Sequence, residues 1–433
     1  MLNNFFRLLI VLCCAGGTAH AQLTKETVQQ HIRELLQTVT DNYVYPAIAK
    51  KAKQYVLTLQ EKGAYDTIQK GERLAAALTR DLQAITHDLH LRVFYSPTVL
   101  PKQENSNGPS PEEIEGFKQM LKGANYGIKE KSVLEGNIGY LNITMFAPLD
   151  FCADSLTAAV QAVINTDALI IDLRECGGSM DPDAIPFFSG YFFDRPTHLN
   201  DLYFRNTGDT TQYWSYGWVP GKKYGNKPIY ILTSGRTFSG AEEIAYDYKN
   251  LKRAILVGEQ TKGGANPGGD MRVNDHFGVF VPNGCAINPI TKTNWEGVGV
   301  TPDTVISAMK ALHKAQLMAV QHLWQQANTP EKKKSLQEAL TAIQKAAPVY
   351  KQVQFTLKGF EKAKEVFVAG SFNGWTPEQT PMLRKGKEWV AVAEAPVGKL
   401  AYKFFVDGEW ILDPAHTQTE SDGRYTNSVK QVQ

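Results

Sequence analysis

Cysteine is scarce in this chain, with five in 433 residues. Cys13 and Cys14 fall in a leader-like segment, and the other three, Cys152, Cys176 and Cys285, are an odd number, which excludes complete internal disulfide pairing. No His/Cys spacing suits zinc, so no metal centre and no organic cofactor is expected. Excess charge of one sign is missing too. The 46 basic and 44 acidic residues leave a formal net charge of +2, and the one compact run, Glu331-Lys332-Lys333-Lys334, reads as a solvated helix face, so nucleic acid is excluded as a partner. After the first 21 residues no apolar run is long enough to span a bilayer.

What is present begins with a leader. Met1 to Ala21 holds Arg7, an apolar run from Leu8 to Ala15 and the small-x-small site Ala19-His20-Ala21. This is the pattern of a secretory signal cleaved before Gln22, and it implies a secreted or periplasmic protein. Lipoprotein anchoring through Leu12-Cys13-Cys14 fits less well, because the residue before the modified cysteine would itself be cysteine.

The remaining length suits several domains. Apolar residues recur at helical spacing in Val28, Ile32, Leu35, Leu36 and Val39, then in Leu74, Leu78, Leu82 and Ile85, so residues 22–100 read as a helical domain. Residues 101–130 read as an exposed connector, rich at its start in Pro, Asn, Ser, Gly and Glu. From Gly136 onward strand and helix patterns alternate: Ile138 to Phe146, Asp154 to Ile164, Ala168 to Leu173, Ile229 to Thr233, Gly240 to Asn250 and Ala254 to Gly258. Such alternation makes residues 131–318 an α/β core. A helical linker over 319–347 and a β-sandwich of short alternating strands over 348–433 complete the chain.

Three segments of the core carry chemistry. Tyr230-Ile231-Leu232-Thr233-Ser234-Gly235-Arg236-Thr237-Phe238-Ser239-Gly240 is a buried strand running into a helix and presents Ser239 at the turn. A serine there is either a nucleophile, favoured by the helix N-terminus, or an ordinary N-cap. Ala168-Leu169-Ile170-Ile171-Asp172-Leu173 ends in Arg174-Glu175-Cys176-Gly177-Gly178, whose glycines leave N–H groups free to approach an oxyanion. Cys176 beside them reads as a small buried apolar residue. Trp295-Glu296-Gly297-Val298-Gly299 sets a carboxylate in a tight bend.

In order and type, these segments resemble the tail-specific, or C-terminal processing, serine peptidases and the related interphotoreceptor retinoid-binding modules, from about Leu23 to about Gln316. The resemblance implies a crotonase-like spiral of ββα units and hydrolysis of a peptide or protein substrate through an acyl-enzyme on Ser239. Gly177 or Gly178 and Gly240 would stabilise the oxyanion. The interval between Tyr95 and Ile138 is too short for the PDZ domain found in many of these proteases. Where the family's lysine branch carries its base, Gly258-Glu259-Gln260-Thr261-Lys262-Gly263-Gly264 has glycine, and Lys262 lies two residues off register. The histidine branch matches instead. Asp88-Leu89-His90 resembles its Asp-x-His position, so His90 would be the general base, with His87 the alternative, and Glu296 would orient it. Leu89 stands where tricorn-type peptidases place a serine.

Val366 to Trp375 and Tyr402 to Trp410, with Asp413-Pro414 and Asn427, resemble the glycogen-binding domain of the AMP-activated kinase β subunit. The resemblance implies an immunoglobulin-like sandwich in which Trp375 and Trp410 stack on sugar rings while Lys403 and Asn427 bond hydroxyls of an α-glucan. Alternatively both tryptophans pack the interior of a structural extension. The expected protein is therefore a secreted serine peptidase. The rival readings are a non-catalytic binder of apolar ligands on the same scaffold and a glycan-docking protein acting through the C-terminal module.

Overall fold

The computed structural model describes residues 23–102, 110–421 and 425–433; the expected signal segment lies outside the described residues. The chain opens with three helices, α1 (Lys25–Asn42), α2 (Pro46–Glu61) and α3 (Gly71–Thr86). Thr24 caps α1 and Pro46 starts α2, each meeting a helix end whose N–H groups lack internal partners. A short strand, β1 (Arg92–Tyr95), follows α3. The segment expected to be a connector then holds a helix, α4 (Pro111–Gly123). Its Ser-Pro-Glu-Glu start, read as loop chemistry, is a capping box: Ser110 Oγ accepts from Glu113 N–H at 3.2 Å, and Glu113 accepts from Ser110 N–H at 2.7 Å.

The core comprises β2 (Ile128–Leu134), β3 (Ile138–Ile143), α5 (Leu149–Val163), β4 (Ala168–Asp172), α6 (Ala184–Ser189), β5 (His198–Phe204), β6 (Thr210–Trp214), β7 (Ile229–Thr233), α7 (Gly240–Asn250), β8 (Ile255–Gly258), β9 (Gly268–Arg272), β10 (Phe277–Pro282), β11 (Gly284–Ile287) and β12 (Thr304–Val305). Its main sheet has the order β12-β8-β7-β4-β3-β2, parallel except for the edge pair β2 and β3. Both faces are covered, so β3, β4 and β7 are buried throughout and mostly apolar. Leu141, Leu169, Ile171 and Ile231 face α5 and α7, while Ile138, Ile170, Tyr230 and Leu232 face the long helix α8 (Ala308–Gln326). Ala311, Ala315 and Ala319, at four-residue spacing and fully buried, let that helix lie close to the sheet.

α8 and its antiparallel neighbour α9 (Pro330–Lys345) therefore belong to the core. The boundary expected at 318/319 cuts α8 internally, and the break falls at Thr329-Pro330, where threonine caps and proline starts the new helix. In the expected helical domain, α1 to α3 bury their apolar side against Phe277, Val279 and Val281 of β10, which also pairs with β1. That pairing ties the α3–β1 junction to the core.

The C-terminal module is a sandwich of two sheets. One joins β13 (Tyr350–Lys358), β16 (Glu388–Pro396) and β15 (Leu383–Lys385); the other joins β14 (Val366–Gly370), β17 (Gly398–Val406), β20 (Thr426–Val432) and β19 (Thr419–Ser421), with β18 (Glu409–Ile411) on β17. Phe355, Val368, Tyr402 and Phe404 fill the space between them. The module rests on the core through Lys310–Glu394 (2.6 Å) and Gln379–Glu259 (3.2 Å), and Gly374 lies against Arg236.

Candidate active site

The site is assembled at the carboxyl ends of parallel strands, where loops leave the sheet with free backbone groups. The loop after β7 is stitched to the loop after β4. Thr237 Oγ1 donates to Leu173 O (2.8 Å), Ser234 Oγ donates to Arg174 O (2.6 Å), and Phe238 N–H donates to Cys176 O (3.1 Å). Arg174 itself is held by buried Asp172 (2.6 Å) and reaches Ala308 O at the start of α8 (2.6 Å).

Ser239 follows at φ 54°, ψ −125°. An N-cap residue has extended dihedrals, whereas this conformation costs a non-glycine residue on the order of 1–3 kcal/mol. The strained turn lifts Ser239 out of the chain path between strand and helix. Glu242, one turn into α7, holds the turn from below. Its fully buried carboxylate accepts N–H groups from Ser239 (2.9 Å), Gly263 (2.6 Å) and Gly264 (2.8 Å) and the hydroxyl of Thr261. Burial nevertheless pushes its pKa up to about 7 against those donors.

Gly178 lies against the serine. A Cβ on it would stand 2.7 Å from Ser239 Cβ and 3.1 Å from Gly240 N, and its φ of 117° already suits only glycine. Its peptide is fixed by Phe146, whose N–H donates to Gly178 O (2.9 Å). Phe146 was expected to extend β3, but β3 ends at Ile143 and Phe146 pairs only with Ser179, through an isolated bridge. The two sequence glycines are not equivalent: Gly177 N–H is taken by Thr144 O (3.1 Å), which leaves Gly178 and Gly240 as the glycines flanking Ser239. Cys176 is fully buried and its thiol is pushed up to about 12 by burial, as befits a packing residue.

His90 arrives from the α3–β1 junction. Its ring sits 4.4 Å from that of Phe238 and 6.0 Å from that of Phe280, with only 11% of the side chain exposed. Burial, with Arg92 and Lys262 adding positive charge, lowers its pKa to about 4, so the ring is neutral at pH 7. Two carboxyls accompany it. Asp88, fully buried, accepts from His90 N–H (3.0 Å), Asn266 (2.9 Å) and Tyr43 (3.1 Å). Glu296 accepts the Ala265 N–H (2.5 Å), and burial beside Asp88 pushes it up to about 8. One ligand atom each of Asp88, His90 and Glu296 lie within 4.8 Å of one another, a spacing that could also hold a metal ion. Both His90 Nδ1 and Glu296 Oε1 are buried without a hydrogen-bond partner.

His87 caps α3 in the left-handed conformation and is exposed. Lys262 is exposed as well, with Nζ 5.1 Å from the Phe238 ring. At Gly264, the place of the family's lysine, a Cβ would stand 2.2 Å from the Phe238 ring and 2.8 Å from His90 Cε1. The volume for a side chain there is occupied by the histidine and its stacking partner. Sequence reading named Ser239, His90 and Glu296 but gave no role to Glu242 or to the Asp88 carboxylate. The Ser239-x-x-Glu242 capping spacing was a signal for the former.

In the C-terminal module the sheet register puts the named residues on one outer face. Tyr402 and Phe404 point inward, so Lys403 and Phe405 point outward, and Trp410 pairs opposite Phe405 with rings 5.0 Å apart. Trp375 meets Trp410 at 6.4 Å and has φ 62°. Asn427 precedes buried Ser428, which faces Tyr402, and so shares the outer face. Trp410 is 45% exposed, which removes it from the interior.

Residues 137–306 match the model of peptidase family S41, residues 20–123 that of the N-terminal domain of this peptidase type in eukaryotic IRBP, and residues 352–433 that of the glycogen recognition site of AMP-activated protein kinase. The human 5'-AMP-activated protein kinase subunit beta-2 is 33% identical over 97 residues, covering 22% of this chain and 33% of that protein. The mouse subunit beta-1 is 37% identical over 105 residues, 24% of this chain and 37% of that one. The chain thus spans about a third of these relatives. Among solved structures, the photosystem II D1 C-terminal processing protease aligns with 65% of this chain and 94% of its own at 16% identity and a TM-score of 0.40. A lipoprotein from Streptococcus agalactiae aligns with 70% and 99% at 15% identity and 0.45.

Proposed function

Because this chain belongs to peptidase family S41 and is a serine-type peptidase, we propose that it hydrolyses peptide bonds through an acyl-enzyme on Ser239. The observation that carries this reading is the strained Ser239 turn with Gly178 against it and a buried, neutral histidine packed on the ring of the adjoining Phe238. In the proposed reaction His90 removes the Ser239 proton as the oxygen attacks the carbonyl carbon. The Gly178 and Gly240 N–H groups receive the oxyanion, His90 passes the proton to the departing amine, and water then releases the acyl group by the same route. Glu296 orients the imidazole and, once ionised, stabilises its charged form. Asp88 supports the loop that carries His90, and Glu242 holds the nucleophile turn.

No step calls on a metal ion, so a chelator should leave turnover unchanged. Lys262 is not the base in this scheme, because it is exposed with its ammonium over the Phe238 ring. We further propose export by the N-terminal segment and weak α-glucan binding by the face holding Trp375, Lys403, Trp410 and Asn427. Among the described residues no helix is long and apolar enough to cross a membrane. The test is peptide hydrolysis by the mature chain and by Ser239→Ala. Activity falling to background in a variant of unchanged melting temperature supports the mechanism, and undiminished turnover removes it. A wild-type chain that binds apolar ligands and cleaves nothing would favour the binding-protein alternative.

A further inference from the structure

The flank of α7 that turns away from His90 carries a second polar group. Successive helical residues point about 100° apart, so while Glu242 faces the loop beneath His90, Glu243 points round toward β5 and β6. Asp247 stands one turn below it. Asp247 and its neighbour Asn200 on β5 are fully buried, whereas Glu243 is only partly covered. Asn200 meets no hydrogen-bond partner at Nδ2 or Oδ1, although its amide lies close enough to Glu243 to favour that carboxylate. Asp247 accepts from Asn288 (3.0 Å) at one oxygen and has no partner at the other.

No basic side chain is among the groups acting on either carboxyl, and burial raises both pKa values. Two acids without a cation, one fully buried and one partly covered, beside an unsatisfied amide, are costly unless a proton or a ligand completes them. Tyr213, paired with Asn200 across β5 and β6, is influenced by Glu243 and also by Asp181 and Asp183, which follow Gly178 in the chain. The group therefore lies between the nucleophile helix α7 and the strands β5 and β6.

This position relates to the reaction through the direction of the substrate, and the inference rests on the function proposed above. His90 gives its proton to the leaving amine, so the residues beyond the scissile bond lie on the His90 side. The residue that contributes the carbonyl lies on the other side, where Glu243 stands about 6 Å along the helix from Ser239. A long side chain covers that distance. We propose that Glu243, backed by Asp247 and Asn200, receives the substrate side chain on the acyl side of the cut, and that it selects lysine or arginine there.

The test uses the full chain and peptides that differ only at that residue: lysine, arginine, methionine or glutamate. Methionine supplies length without charge. The lysine-to-methionine ratio of kcat/KM should be about thirty or more, with glutamate poorest. Glu243→Gln should bring that ratio to within about threefold of unity, whatever its effect on absolute rates. Glu243→Asp, which keeps the charge but draws it back, should retain a basic preference and shift it toward the longer arginine. This second variant separates loss of charge from loosened packing of α7 on β5. A wild-type ratio near one, or a ratio unchanged in Glu243→Gln, overturns the assignment. Methionine-peptide turnover that depends on Ser239 but shows no basic preference defeats this inference alone, whereas a wild-type chain that turns over no peptide defeats the peptidase mechanism and this inference with it.

Discussion

Gly264→Ala is the smallest change that should separate a histidine-based site from a lysine-based one. Gly264 has an ordinary backbone conformation, so the substitution acts through space alone. The new carbon would stand 2.2 and 2.5 Å from Phe238 Cε2 and Cζ and 2.8 Å from His90 Cε1, where carbon pairs rest at about 3.5–4.0 Å. The Phe238 ring must retreat by roughly 1 Å or more, and the imidazole stacked on it at 4.4 Å moves with it. Overpacking of this kind costs about 1–3 kcal/mol of stability. A catalytic group displaced by about 1 Å costs on the order of a hundredfold in rate. Peptide hydrolysis and thermal unfolding of the variant should show both losses. Adding Phe238→Ala makes room and should recover part of the stability, so the two changes should be non-additive. Wild-type kcat/KM and melting temperature in Gly264→Ala would refute the packing on which the role of His90 depends.

His90→Ala should lower kcat/KM nearly as far as Ser239→Ala, while His87→Ala, at an exposed helix cap, should change it less than about threefold; the reverse ranking transfers the base to His87. In the free enzyme the imidazole must be neutral to act as base, and its pKa is lowered to about 4, so the acidic limb of kcat/KM should lie well below the usual imidazole range. Glu296, pushed up to about 8, holds its proton at neutrality and loses it as pH rises, which should add an upper rise that Glu296→Gln abolishes. One limb near pH 6.5, unaltered in Glu296→Gln, would contradict both assignments. Trp375→Ala or Trp410→Ala should abolish retention of the full chain on immobilised glycogen while a small peptide is still cleaved; a wild-type chain that is not retained returns the module to a structural role.

How much of this was legible in the sequence depended on whether the signal was local. The strand-to-helix turn at Ser239, the glycine pair after β4 and the alternation of β17 are short-range patterns, and the structure places each where its pattern implies. Gly264 made a lysine base doubtful from sequence, but only the packing shows what fills its place. Glu242 looked like one more acid in the first turn of a helix. Its task comes from Gly263 and Gly264, some twenty residues on, and no periodicity reports that contact. The same holds for Asp88, whose partners Tyr43 and Asn266 come from α1's end and from the loop before β9. α4 was missed for a different reason, since serine, proline and glutamate mark loops and helix starts alike. What the helices of residues 22–100 pack against was not legible, because helical periodicity reveals an apolar face without identifying the β10 strand that buries it.

The central claim is that Ser239 is a nucleophile activated by His90. It is tested most directly by treating the folded mature chain with a serine-directed phosphonate and locating the adduct by peptide mass spectrometry. The account predicts one adduct, on Ser239, absent from Ser239→Ala and formed much more slowly in His90→Ala. No adduct on the folded chain, or labelling that persists in Ser239→Ala, would contradict it.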